Sequence, residues 1–147
     1  MKILRLLQLD FLPRSTDAGL FVLRIWLGLS LMILHGWAKF TGFSELAAKF
    51  PDPIGLGSRT SLGLTIFAEV VCAVLIALGF FTRAAALTQT ILMTVAFFVV
   101  HKAALSGPGS GELAFIYLAG FVTLLIAGPG RFSLDAIFGR QTVRHVR

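Results

Sequence analysis

The chain has 147 residues, of which 56% are hydrophobic and only 14% are charged. Soluble domains carry nearer a quarter charged residues, and disordered chains lack this much apolar side chain, so both classes are excluded. The net charge of +6 comes mostly from residues between long apolar stretches, which favours anionic lipid headgroups over nucleic acid as a partner. The composition therefore predicts an integral membrane protein.

Residues 1–17 are predicted to be an amphipathic segment on the cytoplasmic leaflet. The first dozen of them alternate leucine and isoleucine with lysine, arginine and glutamine. The apolar stretch that follows, 18–40, is near the ~20 residues that cross a bilayer as a helix. A cleaved signal peptide is disfavoured, because the stretch is too long, contains Arg24 and is followed by no A-x-A site.

Three further apolar stretches have the length expected of membrane spans, and the last one stops at a Gly-Pro-Gly break. A basic tail follows that break. The sequence therefore predicts an all-α fold, a single membrane domain over 1–147 built as an integral membrane four-helix up-down bundle. The predicted later segments are the spans 62–81, 84–101 and 112–128 and the cytoplasmic tail 129–147.

Positive charge outside the spans predicts the orientation of the chain. With the N-terminus inside, eight lysine and arginine residues lie on the cytoplasmic side and four on the other side. Cytoplasmic loops carry the excess of such residues, so both termini are expected in the cytoplasm. The predicted location is the cell inner (plasma) membrane, which the chain crosses several times.

Ionisable side chains inside the predicted spans need a partner or a purpose, because each costs at least ~2.5 kcal/mol on the insertion scale. At 100° per residue, Arg24 and His35 lie near one line along the first helix. In an up-down bundle, five ionisable side chains from four helices reach the outer half of the membrane. They predict a ligand-binding or proton-handling pocket formed by His35, Lys39, Glu69, His101 and Glu112.

A second group of charges collects at the cytoplasmic end of the predicted bundle. Buried ion pairs can fix helix register, so this group is predicted to be a structural ion-pair cluster. No metal site is predicted, and a single cysteine, Cys72, excludes dithiol chemistry within the chain. The predicted cluster consists of Asp17, Arg24, Arg83, Arg131 and Asp135.

Several segments of the sequence resemble the DoxX family of small four-helix membrane proteins. They are LRIWLGLSLMILHGWAKF (23–40), LGFFTRAAAL (78–87), the helix end at His101, GELAFIYLAGF (111–121) and GPGRFSLD (128–135). The resemblance implies the same helical bundle and a link to respiratory, quinone and oxidative-stress chemistry. It also implies that the family's recurrent polar positions are Arg24, His35, Lys39, Glu69, Arg83, His101 and Glu112.

The first functional hypothesis is a redox-associated subunit that binds a quinone or a similar lipophilic molecule in the outer pocket. Histidines would donate hydrogen bonds to the quinone carbonyls and accept protons from a quinol. The chain has no flavin-binding glycine motif and no cysteine set for an iron–sulfur cluster. It is therefore expected to pass electrons to a partner redox subunit, possessing no intrinsic cofactor of its own.

Three alternatives stay open at this stage. Haem ligation by His35 and His101 is the least favoured, because histidines at helix ends are more often polar boundary residues. A non-catalytic scaffold or assembly factor for redox or other membrane proteins would need no ligand. A proton-coupled transporter could use Glu69 as a relay, although four short spans would then need a homo-oligomer.

Overall fold

The protein is built from helices joined by loops of unequal length. The structure is a computed structural model that describes the backbone of residues 6–145 and the side chains of residues 6–139. Regular structure in these residues is helical throughout, so the all-α prediction is confirmed. The helices are α1 (Thr16–Thr41), α2 (Phe43–Leu46), α3 (Ser58–Leu78), α4 (Thr82–Val100), α5 (Glu112–Ala127) and α6 (Leu134–His145).

Three of these helices are long and apolar enough to cross a membrane. α1, α3 and α4 have 26, 21 and 19 residues, whereas the apolar helix α5 has 16 and is about 24 Å long. Large apolar side chains cover the outer surface, with Trp26 74% and Ile126 77% exposed, as lipid contact requires. The chain is an all-α membrane protein, and a crossing by α5 stays a prediction.

The predicted second span, 62–81, differs from α3 at both ends. The helix begins earlier, at Ser58, and ends at Leu78 because Gly79 adopts a φ of +71°. The N–H groups of Gly79 and Phe80 bond back to Ile76 and Leu75, which closes the last turn. A glycine in an apolar stretch does not interrupt the hydropathy pattern, so the pattern ran past the true end of the helix.

The N-terminal segment lies partly within the described residues. Residues 6–7 are helical and turns follow, with the leucines exposed. The Ser15 hydroxyl then caps α1 by accepting a 3.1 Å bond from the Ala18 N–H. Residues 1–5 of the predicted amphipathic segment and residues 146–147 of the predicted tail lie outside the described residues.

Neighbouring long helices are antiparallel and closely packed. A Cβ added to Gly28 would lie 2.5 Å from the Ala73 carbonyl oxygen, and one added to Gly36 would lie 2.6 Å from that of Glu69. Residue numbers increase along α1 and decrease along α3 in the same direction, so the two helices are antiparallel and their backbones are in contact. α5 packs against these helices and completes the core. The core is filled by Leu27, Leu31, Ile76, Met93, Phe121 and Leu124.

The predicted cytoplasmic cluster lies where the short connections join the helices. The buried Arg24 guanidinium donates to the carbonyls of Ile76 and Ala77, at 3.3 and 3.2 Å, and to that of Phe132. The Asp135 carboxylate accepts the N–H groups of Phe81 and Thr82 at 2.8 and 2.9 Å, at the start of α4.

The remaining members of this cluster also contact main chain. Asp17 accepts the Arg131 N–H at 2.8 Å, and Arg83 Nε donates to the Leu125 carbonyl at 3.0 Å near the end of α5. In the described part of the chain, the hydrogen bonds of these side chains thus all go to backbone groups. The cluster satisfies helix ends, where backbone donors and acceptors have no helical partner.

Each of the three longest helices contains a π-helical segment. The segments are Met32–Gly36, Phe67–Cys72 and Val95–Val100. In each, an N–H bonds to the carbonyl five residues earlier, as in the 2.9 Å bond from His101 to Ala96. Such segments are rare and occur frequently at functional sites.

Candidate ligand-binding site

A cavity of about 600 Å³ opens between the helices at the end of the molecule that carries the two long loops, 42–57 and 101–111. All three π-helical segments contribute to its wall, and α5 contributes Tyr117. The wall is mostly apolar, and the volume lies within the range of small-molecule sites in proteins. Among its apolar wall residues are Leu31, Ala68, Ile91, Leu92, Met93 and Val95.

An ion pair joins α1 to α3 on the cavity wall. Lys39 Nζ lies 2.6 Å from Glu69 Oε2, and these side chains are 24% and 9% exposed. The close contact of Gly36 with the Glu69 backbone brings the two helices near enough for this bond. Each charge of the pair compensates the other in a wall that is otherwise mostly apolar.

His35 lines the cavity one helical turn before Lys39. Its ring stands edge-on to Tyr117, with 6.2 Å between ring centroids. The Tyr117 hydroxyl forms a 2.8 Å hydrogen bond with Ser30, which holds the phenol in place. Within the described residues the His35 ring nitrogens make no hydrogen bond to protein, so they can serve a ligand.

His101, just beyond the end of α4, lines the same cavity with one ring nitrogen bonded to the loop that follows. Its Nδ1 lies 2.7 Å from the carbonyl oxygen of Gly109. A carbonyl only accepts hydrogen bonds, so Nδ1 carries the proton, and in the neutral ring Nε2 is an acceptor. Gly111 allows this arrangement, because a Cβ there would lie 2.7 Å from that of His101.

The structure brings four of the five predicted pocket residues to one cavity wall: His35, Lys39, Glu69 and His101. Glu112 is exposed and is not part of the wall, although its backbone N–H is capped by the Ser110 hydroxyl at 3.1 Å. A helix-initiating glutamate need not point toward its neighbours, which the spacing argument could not reveal. Whether the four wall residues bind a ligand stays a prediction.

The structure also places residues on the wall that helix spacing did not predict. Tyr117 is the single tyrosine of the chain and lies inside a predicted span, which was an available signal. The loop residues Phe50, Pro51 and Ile54 gave no such signal, because nothing in their pattern places them over the cavity. No three His, Cys, Asp or Glu side chains in the described part are grouped to hold a metal ion.

The family model named DoxX matches residues 19–102, more than half of the chain. The chain belongs to the DoxX family. The DoxX match contains nearly all of α1, and the whole of α3 and α4, so it includes the four predicted wall residues. The resemblance seen in the sequence is thereby confirmed.

Relatives of this DoxX protein occur in several bacteria. The inner membrane protein YqjF of Escherichia coli is 30% identical over 134 residues, covering 88% of this chain and 99% of that protein. A Haemophilus influenzae protein is 32% identical over 119 residues, covering 76% and 84%. A Mycobacterium tuberculosis membrane protein is 33% identical over 107 residues, covering 58% and 66%. No solved structure matches the chain.

Proposed function

We propose that this DoxX protein is a redox-associated subunit of the inner membrane that binds a quinone, or a similar lipophilic molecule, in the cavity. The observation that carries this proposal is the composition of the wall. An apolar cavity of about 600 Å³ presents the Lys39–Glu69 ion pair and the imidazoles of His35 and His101 together. Convergent polar groups in an apolar pocket are typical of small-molecule sites.

The wall residues offer the hydrogen bonds that both redox states of a quinone need. The Lys39 ammonium is a donor for a quinone carbonyl, and Nε2 of neutral His101 is an acceptor for a quinol hydroxyl. Oxidation of a quinol releases two electrons and two protons. The imidazoles of His35 and His101 would accept these protons, and the electrons would pass to a partner redox subunit.

The proposed location in the inner membrane is supported by the three helices that are long and apolar enough to span it and by the similarity to the inner membrane protein YqjF. With both termini in the cytoplasm, the long-loop end and its cavity would lie in the outer half of the bilayer. A scaffold or assembly factor would not require a cavity with converging polar groups. That alternative is therefore the outcome to expect if the cavity proves to hold no ligand.

Mass spectrometry of the lipids that co-purify with the protein tests the proposal. Wild type is compared with Glu69→Gln and with its matched control Glu112→Gln, which removes an exposed carboxylate outside the cavity wall. Wild type and Glu112→Gln are expected to retain a quinone. Glu69→Gln is expected to lose most of it, because Lys39 is no longer held by a charged partner.

An optical spectrum of the same samples tests for haem at His35 and His101, and a Soret band would overturn the quinone assignment. Monodisperse elution and an unchanged unfolding temperature establish that each variant is folded. If folded wild type retains no quinone and binds none added to it, the proposal is wrong. Cross-linking to membrane partners would then test the scaffold alternative.

A further inference from the structure

The water-facing side of the cavity is covered by a loop held in place by Asp52. Phe50, Pro51, Pro53 and Ile54 lie on the cavity wall. Between them, the Asp52 carboxylate accepts bonds of 2.8 to 2.9 Å from the backbone N–H groups of Leu56 and Gly57 and from the Ser61 hydroxyl. Two of these bonds fold the loop back on itself and the third ties it to the first turn of α3, so the loop is fastened over this side of the cavity.

Among the described residues, no side-chain hydrogen bond closes the lateral side of the cavity toward the long loops. α3 and α4 are joined at depth by Gln89, whose buried amide donates a 2.7 Å bond to the Ala68 carbonyl. Toward the long-loop end, the cavity lies between the two helices. Leu64 and Phe67 of α3 and Ile91 of α4 all line it, yet they are 50%, 49% and 58% exposed.

These side chains face the cavity and the outside of the protein at once. They lie inside helices long enough to cross the membrane, so the outside at this level is hydrocarbon. We define the α3–α4 gap by Leu64, Phe67, Ile91 and Val95. Apolar side chains without hydrogen bonds across the gap can rotate on the nanosecond scale, whereas the Asp52 loop is held by several bonds.

We propose that the ligand enters the cavity sideways from the bilayer through the α3–α4 gap and leaves its tail in that gap. The inference rests on the proposed function and narrows its ligand class. The site would take a molecule with a compact polar head and a hydrocarbon or isoprenoid tail, rather than a small water-soluble compound. The head would meet Lys39 and His101, while the tail packs on Leu64 and Ile91.

Two quinones that differ only in their tail test this route in the purified protein. One is 2,3-dimethoxy-5-methyl-1,4-benzoquinone, and the other carries an added decyl chain. Leu64→Trp and Ile91→Trp fill the gap, and Ile126→Trp is the control on an exposed position of α5. Each gap variant is expected to bind the decyl quinone about tenfold more weakly or worse, since two unburied methylene groups account for that factor.

The same variants are expected to weaken binding of the tailless quinone by a clearly smaller factor than binding of the decyl quinone, because only the decyl quinone has a tail to place in the gap. The Ile126→Trp control should bind both quinones as wild type does. An equal loss for both quinones in the gap variants, or no loss for either, overturns the lateral route.

A second measurement does not depend on quinone. Wild type in a phosphatidylcholine bilayer is photolabelled by a lipid with a diazirine in its acyl chain. Thr65 and Met93 line the cavity but are only 8% and 5% exposed, so label on them indicates that a lipid chain has entered the cavity. Labelling there is expected in wild type and lost in Leu64→Trp. If Thr65 and Met93 are labelled but the protein binds no quinone, the proposed function is wrong and the lateral route stands. If Thr65 and Met93 are not labelled in wild type, the lateral route is wrong.

Discussion

The two nitrogens of His101 have different neighbours, and this separates a structural role from a ligand role within one side chain. Nδ1 donates to the Gly109 carbonyl and holds the loop that follows α4. Nε2 is the nitrogen that remains for a ligand. A typical protein hydrogen bond contributes about 0.5–1.5 kcal/mol to stability, and because this one lies near the surface its loss is expected to lower stability by no more than that.

Replacing His101 by asparagine or by glutamine should separate the loop bond made by Nδ1 from the ligand contact available to Nε2. The amide of His101→Asn can take the place of Nδ1 but does not reach the position of Nε2. His101→Asn is therefore expected to keep the wild-type unfolding temperature and lose bound quinone. His101→Gln is expected to unfold at a lower temperature, because its longer side chain places the amide beyond Gly109. Identical behaviour of the two variants in thermal unfolding and quinone retention would contradict the division.

Helix spacing predicts which polar side chains lie on the cavity wall. It does not predict which groups these side chains bind. At 100° per residue, His35 and Lys39 follow one side of α1, which is enough to place them on an inner face. The pairing of Lys39 with Glu69 depends on the close approach of Gly36, which a residue pattern does not show. An acidic partner was predicted for Arg24, but its guanidinium donates to carbonyls at the end of α3. No sequence pattern identifies these carbonyls as its acceptors.

At the scale of the helix pair, two glycines of α1, Gly28 and Gly36, bring its backbone against that of α3. Small residues let helix backbones approach closely in lipid, where apolar side chains give no net advantage to association. Gly63 of α3 offers a comparison, because a Cβ there would meet nothing within 4 Å. The same change, glycine to alanine, therefore has opposite consequences at two positions.

Gly36→Ala is expected to lower the free energy of unfolding in detergent by about 1–3 kcal/mol, because its Cβ would collide with the Glu69 backbone. Gly63→Ala is expected to raise it by roughly 0.5–1 kcal/mol through helix propensity. Denaturant titration followed by circular dichroism measures both. Equal effects at the two positions would show that the helices do not meet at Gly36.

The loop before α3 is held in its conformation by a single carboxylate, that of Asp52. Bonding from the Ser61 hydroxyl, and then from the Gly57 and Leu56 N–H groups, lowers the pKa of Asp52 below its ordinary value. A lowered pKa stabilises the folded loop at pH values above the ordinary carboxyl pKa. That contribution is lost as the pH falls through the lowered value.

Asp52→Ala is expected to speed hydrogen–deuterium exchange in residues 50–61 at neutral pH, with little change in the core of α4. The control is Glu45→Ala, which removes an exposed carboxylate in α2. Acidification of wild type through the lowered pKa should loosen the same loop. If exchange in residues 50–61 is equal in Asp52→Ala and wild type, the carboxylate does not hold the loop.

For the whole molecule, composition and apolar run length were sufficient to predict an all-α membrane protein. The helix ends were less predictable, because Gly79 ends α3 through its backbone conformation within an apolar stretch. The π-helical segments were not predicted, because an extra residue per turn leaves an apolar run just as apolar. The cavity depends on that backbone detail and on loop placement, so its shape could not be derived from spacing.

The orientation of the whole chain is tested by cysteine labelling in intact cells. Ser44→Cys lies in α2, which follows α1, Gln8→Cys lies before α1, and the native Cys72 is buried. A membrane-impermeant maleimide is expected to label Ser44→Cys directly and Gln8→Cys only after the cells are permeabilised. Wild type gives the background of Cys72. The reverse pattern would place both termini outside.

The π-helical segments carry a consequence for how this fold can change over generations. A π-helical turn corresponds to one residue inserted into an α-helix, since its hydrogen bonds span five residues rather than four. Loss of one residue from Phe67–Cys72 would restore an α-helix and leave the flanking turns in their contacts. Gaps of a single residue at these places, more than substitutions, would then distinguish homologues that keep the cavity from those that have closed it.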